Sequence, residues 1–288
     1  MNRLDLYTMV SERAAAVVIT EYSTSFGLAS RLLAPDIRRQ VANIYALVRV
    51  VDEVVDGAAD DAGLDPAEAS QALTELEWQT EHALSVGYCT NPIVHAFAAT
   101  ARAVGFSTEL TRPFFESMRA DLSDIEHDAA SFDRYVYGSA EVIGLMCLHS
   151  FLMGESRSAA EHDTLRTGAR ALGAAFQKVN FLRDLSDDYE GLGRSYFPDV
   201  DVVAFTEEAK HRILDSIDND LRVSRTALQL LPASSRRAVI LAYSLFAELA
   251  RRLRATSADG ILRARVSVPT PVKLRLAASA VVGRMPST

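Results

Sequence analysis

The stretch from Gln177 to Pro198, QKVNFLRDLSDDYEGLGRSYFP, places acids and amides on a segment whose remaining residues are largely apolar. At about 100° per residue, Gln177, Asn180, Asp184 and Asp188 fall within roughly 80° of one another on a helix, so they form one polar stripe. Val179, Phe181, Leu182 and Leu185 flank that stripe. A helix with such flanks is buried, and its polar stripe is expected to line an enclosed space rather than bulk water. Two carboxylates about 6 Å apart at i, i+4, with an amide oxygen from the preceding turn, make an oxygen donor set for a hard cation. Mg2+ is the expected ion, with Mn2+ as the alternative.

A second stripe lies in NIYALVRVVDEVVDG, where Tyr45, Arg49, Asp52 and Asp56 fall within roughly 60° of one another, again among Val, Leu and Ile residues. One stripe alone reads as a solvated face; two carboxylate pairs on two apolar helices do not. Facing each other with nothing between, the four acids would repel, and their desolvation would cost several kcal/mol each. Divalent cations bridging to an anionic ligand remove that penalty. Because Mg2+ binds through one or two carboxylates together with substrate phosphates, the pattern points to a diphosphate substrate.

These residues resemble motifs of the squalene and phytoene synthases, YAxxRxxDxxxD, QxxNxxRDxxxD and GRxYxP. They stand here as Tyr45, Ala46, Arg49, Asp52 and Asp56; then Gln177, Asn180, Arg183, Asp184 and Asp188; then Gly193, Arg194, Tyr196 and Pro198. The resemblance runs from STSFGLASRLL near the start to VSVPTPVKLRL near the end. It implies an all-α isoprenoid synthase bundle with a central cavity. The implied activity is a prenyltransferase of carotenoid biosynthesis that joins two geranylgeranyl diphosphates head to head, through a cyclopropylcarbinyl diphosphate, to phytoene. A dehydrosqualene or squalene synthase acting on farnesyl diphosphate is the alternative, and a non-catalytic assembly factor of the same fold is the reading from another class.

By the same resemblance, Asp52, Asp56, Asp184 and Asp188, with Asn180, hold the metal, while Arg49, Arg183 and Lys273 bind phosphate oxygens. Tyr45 and Gln177 position the diphosphate. Ser23, Thr24, Ser25 and Phe26 occupy the family's phosphate-contacting His-Ser-basic-Ser-Phe segment, in which this chain has Tyr22 for the histidine and Thr24 for the basic residue. The family's tyrosine near position 246 is replaced by Phe246, with Tyr243 one turn earlier as the candidate substitute.

With 288 residues, 49% of them hydrophobic, and no Pro/Gly/Ser linker, the chain is expected to fold as one domain over residues 1–288. Cys89 and Cys147 have no CxxC spacing, which suits a reducing cytoplasm, and the six histidines show no zinc-ligand spacing. The net charge of -8 argues against nucleic acid, yet residues 251–288 carry +7 of charge and the rest -15. That basic segment is expected to face phosphates or, weakly, an anionic membrane surface, placing the protein in the cytoplasm or peripherally at the inner face of the membrane. The apolar run near Val142–Gly154 is shorter than a bilayer span and reads as a core helix.

Helical periodicity recurs along the chain and strand alternation does not. Helices are expected over 4–20, from Pro35 to Asp56, from Asp65–Pro66 to Ser85, from Asn91–Pro92 to Val104, from Ser107 to Ile125, from a Ser131 cap through FDRYVYGSAEVIGLMCLHSFLMG, and from a Ser158–Glu161 capping box through the second acidic motif. Further helices are expected over 206–230 and 234–256, with a short one at the end. The acids Asp121, Asp124, Glu126 and Asp128 read as solvated. Gly138, Ala140 and Gly144 fit either a hydrocarbon tunnel or close helix packing.

Overall fold

The computed structural model describes residues 2–283 apart from 24, 124–126 and 193–194, and gives only the backbone of Ser25, Asp188 and 190–192. Its elements are α1 (Arg3–Tyr22), α2 (Ser25–Ser30), α3 (Pro35–Val55), α4 (Ala58–Asp61), α5 (Pro66–Val86), α6 (Pro92–Val104) and α7 (Thr108–Asp121). There follow α8 (Ala129–Val136), a π-helical turn (Tyr137–Glu141), α9 (Val142–Leu152), α10 (Ala159–Arg183), α11 (Leu185–Leu192), α12 (Glu207–Leu228), α13 (Ala233–Ala255), α14 (Ala258–Arg263) and α15 (Thr270–Val281). No strand occurs among the described residues.

The starts of these helices are written in local chemistry. Asp65 accepts from the backbone of Ala67 and Glu68, Glu68 returns the bond, and Pro66 occupies the first turn, where its missing N–H costs nothing. Ser158 and Glu161 close the expected capping box of α10, and Asn91 caps α6. The cap of α8 is Asp128, whose carboxylate accepts from Ser131 N–H, so the helix starts earlier than the Ser131 cap predicted. One helix and one break were not predicted: the short helix α2 follows α1, and the second acidic motif is split between α10 and α11.

Helices α8 and α9 run on through the π-helical turn as one 24-residue rod, Ala129–Leu152, long and apolar enough to cross a bilayer, yet more than half of its apolar window is buried in the bundle. This is the expected core helix, though longer than the Val142–Gly154 run suggested. Two apolar cores flank it. One gathers α10, α12 and α13, with Leu182, Leu214, Ile217 and Leu241 fully buried; the other gathers α3, α5, α6, α7 and α9 around Phe97, Phe114, Phe115 and Leu47.

Glycines let these helices approach. A Cβ on Gly138 would lie 2.1 Å from both the Pro113 carbonyl oxygen and Ser117 Oγ of α7, one on Gly144 would lie 2.5 Å from the Ala169 carbonyl of α10, and one on Gly168 would lie 2.2 Å from Ala227 Cβ of α12. Gly138 and Gly144 are therefore needed for backbone contact. Gly138→Ala is expected to destabilise the protein by about 1–3 kcal/mol through overpacking, read as a lower urea midpoint with unchanged m; Gly63→Ala, where nothing lies within 4 Å but φ is +82°, should cost only its backbone strain.

Candidate active site

Between the two cores lies a cavity of about 540 Å³, within the usual range of small-molecule sites. Its wall along α10 changes from Leu165, Gly168, Ala169 and Leu172 to Gln177, Asn180, Arg183 and Asp184. Over that distance, roughly 28 Å of helix, an apolar pocket becomes a polar one. Helix α3 makes the same change, from Val41 and Ile44 to Tyr45, Arg49 and Asp52, with Asp56 just past its end. Residues of both sequence stripes thus line one cavity.

Neither stripe is a single helical face. Asp56 is the C-cap of α3, at φ -154° and ψ 29°, its N–H donating to the Asp52 carbonyl. Asp184 is the C-cap of α10, at φ -100° and ψ 11°, its N–H donating to the Asn180 carbonyl. Each motif crosses a helix end. The Asp188 side chain lies outside the described residues, as do Thr24, Gly193, Arg194 and the Ser25 side chain.

A carboxylate at a helix C-terminus faces the negative end of the macrodipole and needs a cation. Asp184 has two: Arg183, bound through both nitrogens, and Arg265, whose Nε lies 2.8 Å from Asp184 Oδ1. Asp52 has no such ion pair among the described residues. It opens into the cavity, but burial, followed by the charge of Asp56, pushes its carboxyl well above the ordinary range; Arg49 pulls the other way, and Asp121 adds to the rise. Arg49 is held by Glu53, its guanidinium lies 4.6 Å over the Tyr22 ring, and its Nε is buried without a hydrogen-bond partner. A buried carboxyl whose ionised form is disfavoured, beside a buried arginine N–H short of an acceptor, fits a divalent cation together with an anionic ligand. The first would be held by Asp52, Asp56, Asn180 and Asp184.

Four residues join the site that the motifs did not assign to it. Asp121 was read as solvated, but only 8% of it is exposed, and it accepts the Tyr135 hydroxyl on both oxygens at 2.8 and 2.9 Å. The signal was the i, i+4, i+7 row Phe114, Met118, Asp121 on the apolar face of α7. Tyr196 lines the cavity and stacks on Phe181 at 3.9 Å between ring centroids. Arg265 reaches Asp184 from 81 positions away, which no local pattern reveals.

The other predicted residues divide. Phe26 lines the cavity, packed 5.7 Å from Phe176 and 5.6 Å from Phe246. Tyr45 lines it too; burial raises its hydroxyl pKa, partly offset by a hydrogen bond with Ser23. Ser23 itself and Lys273 line a separate outer groove. Neither Tyr243 nor Phe246 is among the described residues that line the cavity: Phe246 stacks on Phe176 at 3.8 Å, and Tyr243 is buried, with Arg225 and Asp218 as its charged neighbours.

The chain as a whole has relatives of known family. A sequence profile of the squalene/phytoene synthases matches residues 19–271. Phytoene synthase 3 of Zea mays is 33% identical over 186 residues, which is 63% of this chain but 41% of the maize protein's own length. A phytoene synthase of Pseudescherichia vulneris is 27% identical over 255 residues, 81% of this chain and 79% of the relative, and a 4,4'-diapophytoene synthase of Staphylococcus haemolyticus is 28% identical over 205 residues, 70% of this chain and 66% of the relative. In fold, the chain superposes on a crystal structure of a dehydrosqualene synthase with a TM-score of 0.79 at 20% identity, covering 98% of each chain. The chain belongs to the squalene/phytoene synthase family, and its all-helical bundle is the isoprenoid synthase fold.

Proposed function

We propose that residues 1–288 act as one synthase domain that condenses two geranylgeranyl diphosphates head to head into phytoene, through a cyclopropylcarbinyl diphosphate. The observation that carries this reading is that residues of both acidic motifs line one cavity whose other walls are largely apolar. Phytoene synthases among the relatives favour the C20 substrate. The 4,4'-diapophytoene synthase of similar identity supports a second reading, in which farnesyl diphosphate is used. The small residues on the central helix do not decide between them, since Gly138 and Gly144 serve backbone contact. A non-catalytic assembly factor is disfavoured by the retention of Asp52, Asp56, Asp184 and Asp188.

Magnesium, held by Asp52, Asp56, Asn180, Asp184 and Asp188, would neutralise the departing diphosphate. The chain's own residues do the rest. Arg49, with its unpartnered Nε, and Arg183 and Arg265 donate charge-assisted hydrogen bonds to phosphate oxygens. Tyr45 and Gln177 orient the head group, and the apolar walls keep water away from an allylic cation that it would quench. Substrates with long prenyl tails favour work at the anionic inner face of the membrane, with the protein peripheral to it.

Asp52→Ala is expected to lower turnover by roughly 100-fold or more, the scale of losing one preorganised charge-stabilising group, with an unchanged helical CD spectrum. Magnesium with a non-hydrolysable geranylgeranyl thiodiphosphate should raise the melting temperature of the wild-type protein and do so less in Asp52→Ala; equal shifts in both would remove Asp52 from the metal site. Incubation with magnesium and either geranylgeranyl or farnesyl diphosphate, without reductant, should give a C40 hydrocarbon from the first and little product from the second. Preference for farnesyl diphosphate would replace phytoene by dehydrosqualene, and inertness to both would favour the assembly-factor reading.

A further inference from the structure

The positive charge expected of residues 251–288 is largely paired with the protein's own acids. Arg251 and Arg252 pair with Glu248, Arg254 with Asp215 and Asp218, Arg263 with Asp259 and Arg265 with Asp184. Among the described residues of that segment, Lys273 and Arg275 are left without an acidic partner, and Lys273 lies in the outer groove.

That groove, about 920 Å³ between α1, α2, α3 and α15, is lined by five cations, Arg13, Arg31, Arg38, Arg39 and Lys273, against one acid, Glu12. Arg39 takes Glu12 as its partner. Arg38 is fixed by the carbonyls of Ser30, Arg31 and Leu33, which keep its charge in place without cancelling it. Arg13, Arg31 and Lys273 have no acidic partner among the described residues. In a chain of net charge -8, this is a concentrated patch of the opposite sign.

Its surroundings are apolar and open. On α1, Leu6, Val10 and Val17 share a face within roughly 40°, next to the face that lines the groove, and they are 46%, 50% and 60% exposed; Leu274 on α15 is 60% exposed. Unpaired cations beside an exposed apolar ridge suit an interface where phosphate lies next to hydrocarbon. The groove also shares Ile19 and Ser30 with the wall of the central cavity, so whatever fills it lies one side chain from the space assigned to prenyl tails.

We propose that this groove binds the phosphate head group of an anionic phospholipid and sets the α1–α2–α3 wall of the cavity against the bilayer. The assignment rests on the membrane reading above and moves the contact from the basic C-terminal segment as a whole to one groove. Charge complementarity selects the lipid phosphate, and the exposed ridge on α1 distinguishes a bilayer from a dissolved anion.

The test is co-sedimentation with vesicles of mixed phosphatidylglycerol and phosphatidylcholine, or phosphatidylcholine alone, at low and high salt. Wild-type protein should bind only the anionic vesicles and lose them as salt rises. Arg13→Ala/Arg31→Ala, with both side chains exposed and an unchanged CD melt as its folding control, should weaken binding by about 10- to 30-fold, near fivefold per cation. Arg134→Ala/Arg166→Ala removes the same charge from exposed positions on α8 and α10 and should change binding less than threefold. Equal loss in both double variants, or none in the groove variant, would overturn the groove while leaving membrane association standing. Absence of wild-type binding at low salt would overturn both. Stabilisation by inorganic phosphate without vesicle binding would assign the groove to a dissolved anion instead.

Discussion

Carboxylates set at the C-terminal ends of helices are the constraint on which the rest of this structure depends. The macrodipole places partial negative charge where Asp56 caps α3 and Asp184 caps α10, so each acid worsens a local field that already disfavours it. At Asp184 the protein answers with two arginines, one adjacent in sequence and one from the segment before α15. At Asp52 it does not answer: Arg49 is turned to Glu53, and Asp121 adds further negative charge. Asp52 stays a carboxyl whose charge is disfavoured, while Asp184 is paired with two arginines. Asp52 and Asp184 would each hold a divalent ion if one bound, and it would supply positive charge to these carboxylates.

Keeping such a site dry and open requires walls that do not collapse. The helices that wall the cavity are fixed to their neighbours at glycines. Gly138 seats the central rod on α7, Gly144 and Gly173 seat it on α10, and Gly168 seats α10 on α12. The π-helical turn lies at the first of these contacts, where the Val142 N–H donates to the Tyr137 carbonyl five residues back. An extra residue per turn there sets how the Ser139–Gly144 wall faces the cavity relative to Tyr135, whose hydroxyl is committed to Asp121.

Local chemistry made much of this legible in the sequence. Capping residues at Asp65, Asn91 and Ser158 mark their helices because the side chains bond backbone groups two or three positions away. The stripes at Tyr45–Asp56 and Gln177–Asp184 reveal a cavity because polar residues among apolar ones need a shared enclosed space. The break at Asp184 escaped notice, because QKVNFLRDLSDD reads as unbroken helix and Arg265, which holds the capping carboxylate, comes from 81 positions away. Asp121 was misread for a related reason: its acidic neighbours in sequence suggested a solvated end, whereas the apolar row Phe114–Met118 had already set its direction.

Charge counted along the chain misled most. A segment with +7 of formal charge suggested a basic tail, yet most of its arginines face acids brought close by α12, α13 and the end of α10. Those pairs lie mostly at the surface, where each contributes little to stability, so their main consequence is electrostatic. They withdraw charge from one surface and leave it concentrated where α1, α2 and α15 converge. Unpaired cations collect there because helices that meet around a groove present their polar faces to it, and only Glu12 among the lining residues is acidic. The charge that governs what this chain attracts is therefore set by which arginines fail to find a partner when it folds, a property of the bundle's topology and not of its composition.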